Sequence, residues 1–402
     1  MGLSHSPKII TDGLVFAMDS GNDKSYKGPN ITNIATRILQ IGTTPAAGYS
    51  FTASTENVFI PTIGNITAKV NSGYNNYSAV STQCCPGLFD YGALVSVSAS
   101  TQYTYAILYK TTSGYTHPNF MYRYEYTSGS AYVTEGGVHS DSNRTHLGNG
   151  WYWAWGTFTT QATTAIINFY SFYYKYGTTT DNFYVAKALI VQGNYTGLHP
   201  KYWPDVNTTR SNTDTILDLT GKTTVTATNL TYESNGNFKF NGGTQSAAIS
   251  NSIGPISNNF SISAWIRSTD IAATQNILSM NGPYFMRISG SKIRFNVLAG
   301  GTWLFQDGTT TLSSNTWYYL TMVYDYNASL WNGYINDKLE FSVAKSGTLG
   351  ISTFYGYVGY TPQGGEQSNF FGEIAVAQYY NKALSSAEVR QNFNALRGRF
   401  GI

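Results

Sequence analysis

Short runs in which apolar and polar side chains alternate recur along almost the whole of this 402-residue chain, separated by Gly, Asn, Ser and Thr. A period of two sends successive side chains to opposite faces, so each run predicts a β-strand with one buried face. Leu14, Phe16 and Met18 alternate with Ile10 in phase, and Tyr103, Tyr105, Ile107 and Tyr109 repeat the pattern. It continues through 151–158, 165–176 and 182–191, and resumes at 260–266, 293–297, 317–324, 330–335, 339–343 and 371–379. Strands at this spacing with no helix between them predict an all-β fold class: two β-sandwich domains of jelly-roll type. One helix is predicted, at the C-terminal end. Ser385 and Glu388 form a capping box, Leu384 and Val389 a hydrophobic staple, and Val389, Phe393 and Leu396 one apolar face before Gly398.

Composition narrows the function. Charged residues make up 11% of the chain, against about 25% in an average soluble protein. The net charge of +3 carries no signature of a nucleic-acid partner. No apolar window approaches the ~18 residues of a membrane span, so no membrane insertion is expected. The start, Met1 to Lys8, lacks the apolar stretch of a signal peptide. Cys84 and Cys85 are adjacent and cannot pair without strain, which fits folding in reducing cytoplasm.

The residues from 238 onward resemble the laminin-G-like, concanavalin A-like lectin/glucanase sandwich. The matching pieces are Phe238-Lys239-Phe240-Asn241-Gly242, Phe260-Ser261-Ile262-Ser263-Ala264-Trp265-Ile266, the strand from Trp317 to Asp325 and Phe371-Gly372-Glu373-Ile374-Ala375-Val376. At the hairpin Tyr334-Ile335-Asn336-Asp337-Lys338-Leu339 the family usually has Asn-Gly where Asn336-Asp337 stands. The opening, Asp12-Gly13-Leu14-Val15-Phe16-Ala17-Met18-Asp19, and the ending, Asn392-Phe393-Asn394-Ala395-Leu396, resemble structural proteins of tailed bacteriophages. In such proteins the opening leads directly into the piece represented here by Asp218-Leu219-Thr220-Gly221. The resemblance therefore implies three segments: 1–40 joining the C-terminal sandwich, 41–205 an inserted domain, and 206–402 the sandwich itself. Pro200 and Pro204 punctuate the second boundary. Through Tyr103 to Lys110, Gly150 to Trp153 and Phe183 to Gly193, the insert resembles carbohydrate-binding-module-like jelly rolls.

Retaining glucanases need two carboxylates about 5 Å apart. The strand that would present them here, 373–378, has Glu373 as its one acid, so no catalytic residues and no enzymatic activity are expected. No phosphate loop and no Gly-x-Ser-x-Gly elbow occur. Asp19, Asn22 and Asp23 are the candidates for Ca²⁺, against a simple turn at Gly21-Asn22; no other cofactor is expected. His139 and His146 around Asp141 read as a loop metal site or, more simply, as a solvated turn. The aromatics are the ligand candidates. Trp151, Trp153 and Trp155 project as one row and Tyr170, Phe172, Tyr174 and Tyr176 as another. Each row is either an exposed platform for a sugar ring or subunit, or sandwich core.

The resemblance implies a non-enzymatic virion structural protein, a head fibre, capsid decoration or tail-associated fibre. It would fold in host cytoplasm and be displayed on the virion surface. Its expected partners are other virion proteins, host surface polysaccharide, and copies of itself, a trimer being implied although no heptad repeat is present. A stand-alone carbohydrate-binding protein and a glycan hydrolase are the alternatives.

Overall fold

A computed structural model describes residues 8–22, 24–29, 31–35, 52–74, 95–111, 121–137, 143–171, 181–232, 237–243, 245–250, 258–280, 284–349, 356–360 and 369–402. The chain forms two compact units: Asn30–Arg210 is one, and Met1–Pro29 with Ser211–Ile402 is the other. The inserted unit thus starts before residue 41 and ends after residue 205. Both ends are fixed by hydrogen bonds. Thr32–Asn33 pairs antiparallel with Thr208–Thr209. Buried Asn33 donates to the carbonyls of Ala188 at 2.9 Å and Pro204 at 3.1 Å. Its Oδ1 accepts from the N–H groups of Ala35 and Ile190, both at 3.1 Å. A unit whose two ends pair with each other can be inserted into a loop of another. The prolines lie inside it, because Trp203, 2% exposed, belongs to its core.

Among the described residues this unit has, besides that two-stranded pairing of its ends, two larger antiparallel sheets. The first runs in the order Thr52–Ile60, Gly64–Tyr74, Asp181–Gln192, Gln102–Thr111, Trp151–Thr159, Arg144–Gly148. The second runs Val95–Ser96, Ile166–Ser171, Met121–Tyr126, Tyr132–Gly137. Alternation along Gln102–Thr111 divides the core. Tyr103, Tyr105, Ile107 and Tyr109 pack with Val95 and Ile167 of the second sheet. Ala106 and Leu108 join a separate cluster on the opposite face, where Trp151, Trp153 and Leu189 are buried with Trp203.

In the other unit the first strand, Leu14–Asp19, pairs with Phe371–Tyr380 at the far end of the chain. That strand also pairs with Phe238–Asn241 and Phe260–Ser268, and the sheet continues through Trp317–Asp325, Leu330–Ile335 and Lys338–Ala344. A second sheet runs Val225–Thr228, Ser246–Ile249, Gly356–Val358, Gln275–Met280, Tyr284–Ser289, Lys292–Ala299, Thr302–Thr311. Between them lie Ile262, Ala264, Met286, Ile288 and Phe295, all fully buried, with Phe260 stacked on Tyr284 at 3.8 Å. The outer face of the first sheet is covered too. Trp265 lies beneath Phe393 and Phe400, at ring distances of 5.7 and 4.2 Å.

Phe393 is carried by the C-terminal helix, Ser386–Leu396. Its capping box is present, with Ser385 Oγ accepting from Glu388 N at 3.3 Å and Glu388 Oε2 accepting from Ser385 N at 2.8 Å. The chain runs on through Gly398 as a 3-10 turn, Arg397–Phe400, and stops at Gly401, whose φ is +71°. The α-helix itself ends at Leu396, just before Gly398 as expected, and the 3-10 turn that follows places Phe400 on Trp265 and Trp317. Replacing Ser385 by alanine removes the cap and is expected to cost about 1 kcal/mol, read as a lowered urea midpoint.

Candidate functional site

The tryptophan row is core and not a platform. Trp151 and Trp153 are 1% and 6% exposed. They lie on the face of their sheet that Leu198 and Trp203 cover, and Lys187 holds that cover in place by donating to the carbonyls of Pro200 and Trp203. An apolar row on the outer face of a sheet has to be buried by something, and here the proline-rich segment does it. Trp155 stays half-buried at the margin, 4.6 Å from Trp153. Tyr170 lies on Ile166–Ser171, in register with Tyr122. Phe172, Tyr174 and Tyr176 lie outside the described residues, as do Cys84, Cys85, His139 and Asp141.

Of the expected calcium ligands, Asp19 and Asn22 are each engaged within the chain. Asp19 Oδ1 accepts from Arg399 Nη1 and from Gly21 N. Asn22 Oδ1 accepts from Lys24 N at 2.9 Å, closing a turn, and Asp23 lies outside the described residues. A cation at Asp19 would lie against a guanidinium. Among the described residues no group of three or more His, Cys, Asp and Glu is gathered.

Glu373 is committed elsewhere. Its carboxylate, 6% exposed, takes two N–H groups of Arg267 on one oxygen and Asn237 Nδ2 at 2.8 Å on the other. Arg267 in turn lies over the ring of Trp317 at 5.4 Å. A carboxylate held by a guanidinium and an amide in this way is engaged in the fold, and a retaining mechanism would need a second carboxylate about 5 Å away.

Two exposed aromatics, Trp303 and Phe305, share one strand, and three neighbouring strands place half-buried Phe285 beside them. Ser289 pairs with Lys292 and Ala299 with Thr302, so both hairpins close on two residues. Those residues, Gly290-Ser291 and Gly300-Gly301, all have φ between 57° and 75°. Positive φ at both positions defines the tight turn whose twist matches the strands it joins. This fixes the register. Tyr284, Met286, Ile288, Ile293, Phe295 and Val297 point into the core, each at most 1% exposed. Phe285, Asn296 and Phe305 are then directly opposite one another on the outer face, and Trp303 is opposite Leu298.

Trp303 is 46% and Phe305 62% exposed. The rings of Trp303 and Phe285 come within 5.6 Å from either side of Lys292–Ala299. Arg294 is fixed by Asp307, with Nε to Oδ1 at 2.5 Å and Nη2 to Oδ2 at 2.8 Å, and its guanidinium covers Phe305 at 4.7 Å. That paired bond holds the Asp307 carboxyl below its ordinary range. Between the rings lies Asn296, 7% exposed, whose Oδ1 is buried and has no hydrogen-bond partner. An orphaned buried acceptor costs about 1–3 kcal/mol and marks a place where a donor is missing. The exposed rings of Trp303 and Phe305 can receive the C–H face of a sugar, and rotation of the Asn296 amide out of its buried position would let Oδ1 accept from one hydroxyl.

Trp303, Phe305 and Asn296 are not among the ligand candidates that alternation and row length pick out. The signal that does point to the two rings is Gly300-Gly301 followed by aromatics two residues apart, which puts both on one face.

Residues 241–390 match the Laminin_G_3 family model, described as the concanavalin A-like lectin/glucanases superfamily. The matched span contains the three strands of the aromatic face. No curated protein matches the chain. Among solved structures, the receptor-binding domain of botulinum neurotoxin mosaic serotype C/D is 18% identical, with 46% of this chain and 49% of that one covered and a TM-score of 0.37. The binding domain of Paraclostridial Mosquitocidal Protein 1 is 17% identical, with coverage of 45% and 49% and a TM-score of 0.38. The CBM40 of Ruminococcus gnavus IT-sialidase, solved with α2,3-sialyllactose, is 18% identical, with coverage of 33% and 80% and a TM-score of 0.30. The chain spans about half the length of the first two. The fold is all-β and sandwich-like, and the concanavalin A-like match lies in the unit that contains residues 241–390.

Proposed function

We propose that this protein binds glycans without cleaving them, through the outer face that carries Phe285, Asn296, Trp303 and Phe305. The observation that carries the reading is the buried, unpartnered Oδ1 of Asn296 between exposed rings, within the span that matches a lectin/glucanase family model. The ion pair of Glu373 with Arg267 favours the lectin side of that family over the glucanase side.

The biological setting we propose is the virion surface of a tailed phage, as a head fibre, capsid decoration or tail-associated fibre, with host polysaccharide as ligand and other virion proteins, in a homotrimer, as partners. It rests on the resemblance of the opening and closing segments to phage structural proteins. A surface with few charges and many hydroxyls is in keeping with that role.

A glycan array probed with the full chain tests binding, and release of reducing ends from the bound polysaccharide tests cleavage. Binding without release is the expected result. Absence of binding to every glycan would leave only a scaffolding role, and release of reducing ends would overturn the non-catalytic reading. Antibody labelling of purified particles tests the virion assignment, which fails if the protein is absent from them.

A further inference from the structure

The inserted unit has a cleft of about 500 Å³, within the size range of small-ligand sites. Its floor is Tyr103 and Val191, 2% and 3% exposed, and its aliphatic walls are Ile34 and Val97. Around the mouth stand Thr32, Ser96, Ser98 and Gln192, all exposed, with Tyr195 half-buried beside them. None of the ten lining residues is charged. Burial raises the Tyr195 phenol above its ordinary range, so it stays a protonated donor.

Each wall is tied down independently. The Ser96–Ser98 wall is held by Ser98 N donating to Tyr103 OH at 2.8 Å, Thr160 Oγ1 donating to Ser98 O at 2.7 Å and Val97 N donating to Ala165 O at 2.9 Å. The Val191–Tyr195 wall is held by Thr104, whose Oγ1 donates to Gly193 O at 2.7 Å and accepts from Tyr195 N at 2.8 Å. The third wall is the crossing strand fixed by Asn33, with Ile34 N donating to Ile190 O at 2.9 Å. A cleft already in one shape binds without the entropy cost of ordering its walls.

We propose that this cleft is a second saccharide site, separate from the aromatic face, and that its ligand is a neutral sugar. Hydroxyl and amide groups at the mouth answer sugar hydroxyls, and the aliphatic walls take the apolar face of a pyranose ring. A carboxylate or sulfate would be desolvated here with no cation to meet it. Two sites on one chain raise avidity for a repeating polysaccharide whenever both can engage at once.

The test is calorimetric titration of the full chain with neutral oligosaccharides of glucose, galactose, mannose and N-acetylglucosamine, and with the matching uronates. The variants are Ser96→Trp, which fills the mouth, Gln192→Ala, which alters an exposed side chain only, and Trp303→Ala on the other unit. A neutral sugar is expected to bind with an affinity that falls about tenfold in Ser96→Trp and about threefold in Gln192→Ala, and that Trp303→Ala leaves unchanged. Three results overturn the proposal: no neutral sugar bound, a uronate preferred in a manner sensitive to Ser96→Trp, or binding that Trp303→Ala abolishes while the two cleft variants leave it intact. The last of these would leave the aromatic-face reading standing, and loss of the aromatic-face binding alone would leave this one standing.

Discussion

Replacing Arg267 by methionine is expected to destabilise the C-terminal unit by about 3 kcal/mol, at the low end for a broken buried ion pair because the arginine itself is 35% exposed. The charge left behind is the reason. Arg267 and Glu373 are opposite each other on neighbouring strands, and the glutamate has almost no access to water. Without the guanidinium its carboxylate keeps only Asn237, and that amide is already shared, its Oδ1 accepting from Ser20 Oγ at 2.7 Å and Arg399 Nη2 at 3.3 Å. One lost side chain therefore loosens a network that ties together the first strand, the strand of Glu373 and the last turn of the chain. The double variant Arg267→Met/Glu373→Leu removes both charges and is expected to recover most of the loss, since a buried pair is often replaceable by apolar residues of similar volume. Urea midpoints of the two single variants and the double variant give the coupling directly. A single-variant loss below about 0.5 kcal/mol would mean that the pair is solvated and that Glu373 is available for chemistry after all.

That ion pair also separates what is legible in the amino-acid sequence from what is not. The shortage of acids on strand 373–378 can be counted, and the count already points away from a carboxylate pair. The partner of the one acid cannot be found by counting, because Arg267 and Glu373 are 106 residues apart and meet only through strand register. The same limit explains the tryptophan row. Alternation places Trp151, Trp153 and Trp155 on one face but says nothing about what lies on top of them, and the covering Trp203 belongs to a segment whose prolines read as a domain boundary. Patterning shows local period well; it does not show which of two apolar faces a later stretch of chain will cover. The first strand is an easier case, because its alternating apolar side chains require a sheet to join and the turn-rich residues that follow it offer none nearby. Phe371–Tyr380 supplies the pairing from the far end of the chain.

On the aromatic face, Trp303→Ala is expected to weaken glycan binding by about tenfold or more while leaving the urea midpoint almost unchanged. The indole is nearly half exposed, so its removal leaves no cavity and little lost burial. Asn296→Leu makes a sharper test, because its two effects run in opposite directions. The substitution removes an acceptor that has no partner in the unliganded protein and fills its place with an apolar group of similar size, so stability is expected to stay the same or rise. Binding is expected to fall by about tenfold, because the ligand hydroxyl that would have answered Oδ1 meets a methyl group instead. A residue kept for folding would behave the other way, with stability lost and affinity following only as far as unfolding takes it. If Asn296→Leu is both less stable and unimpaired in glycan binding, the amide is structural and the sugar binds elsewhere.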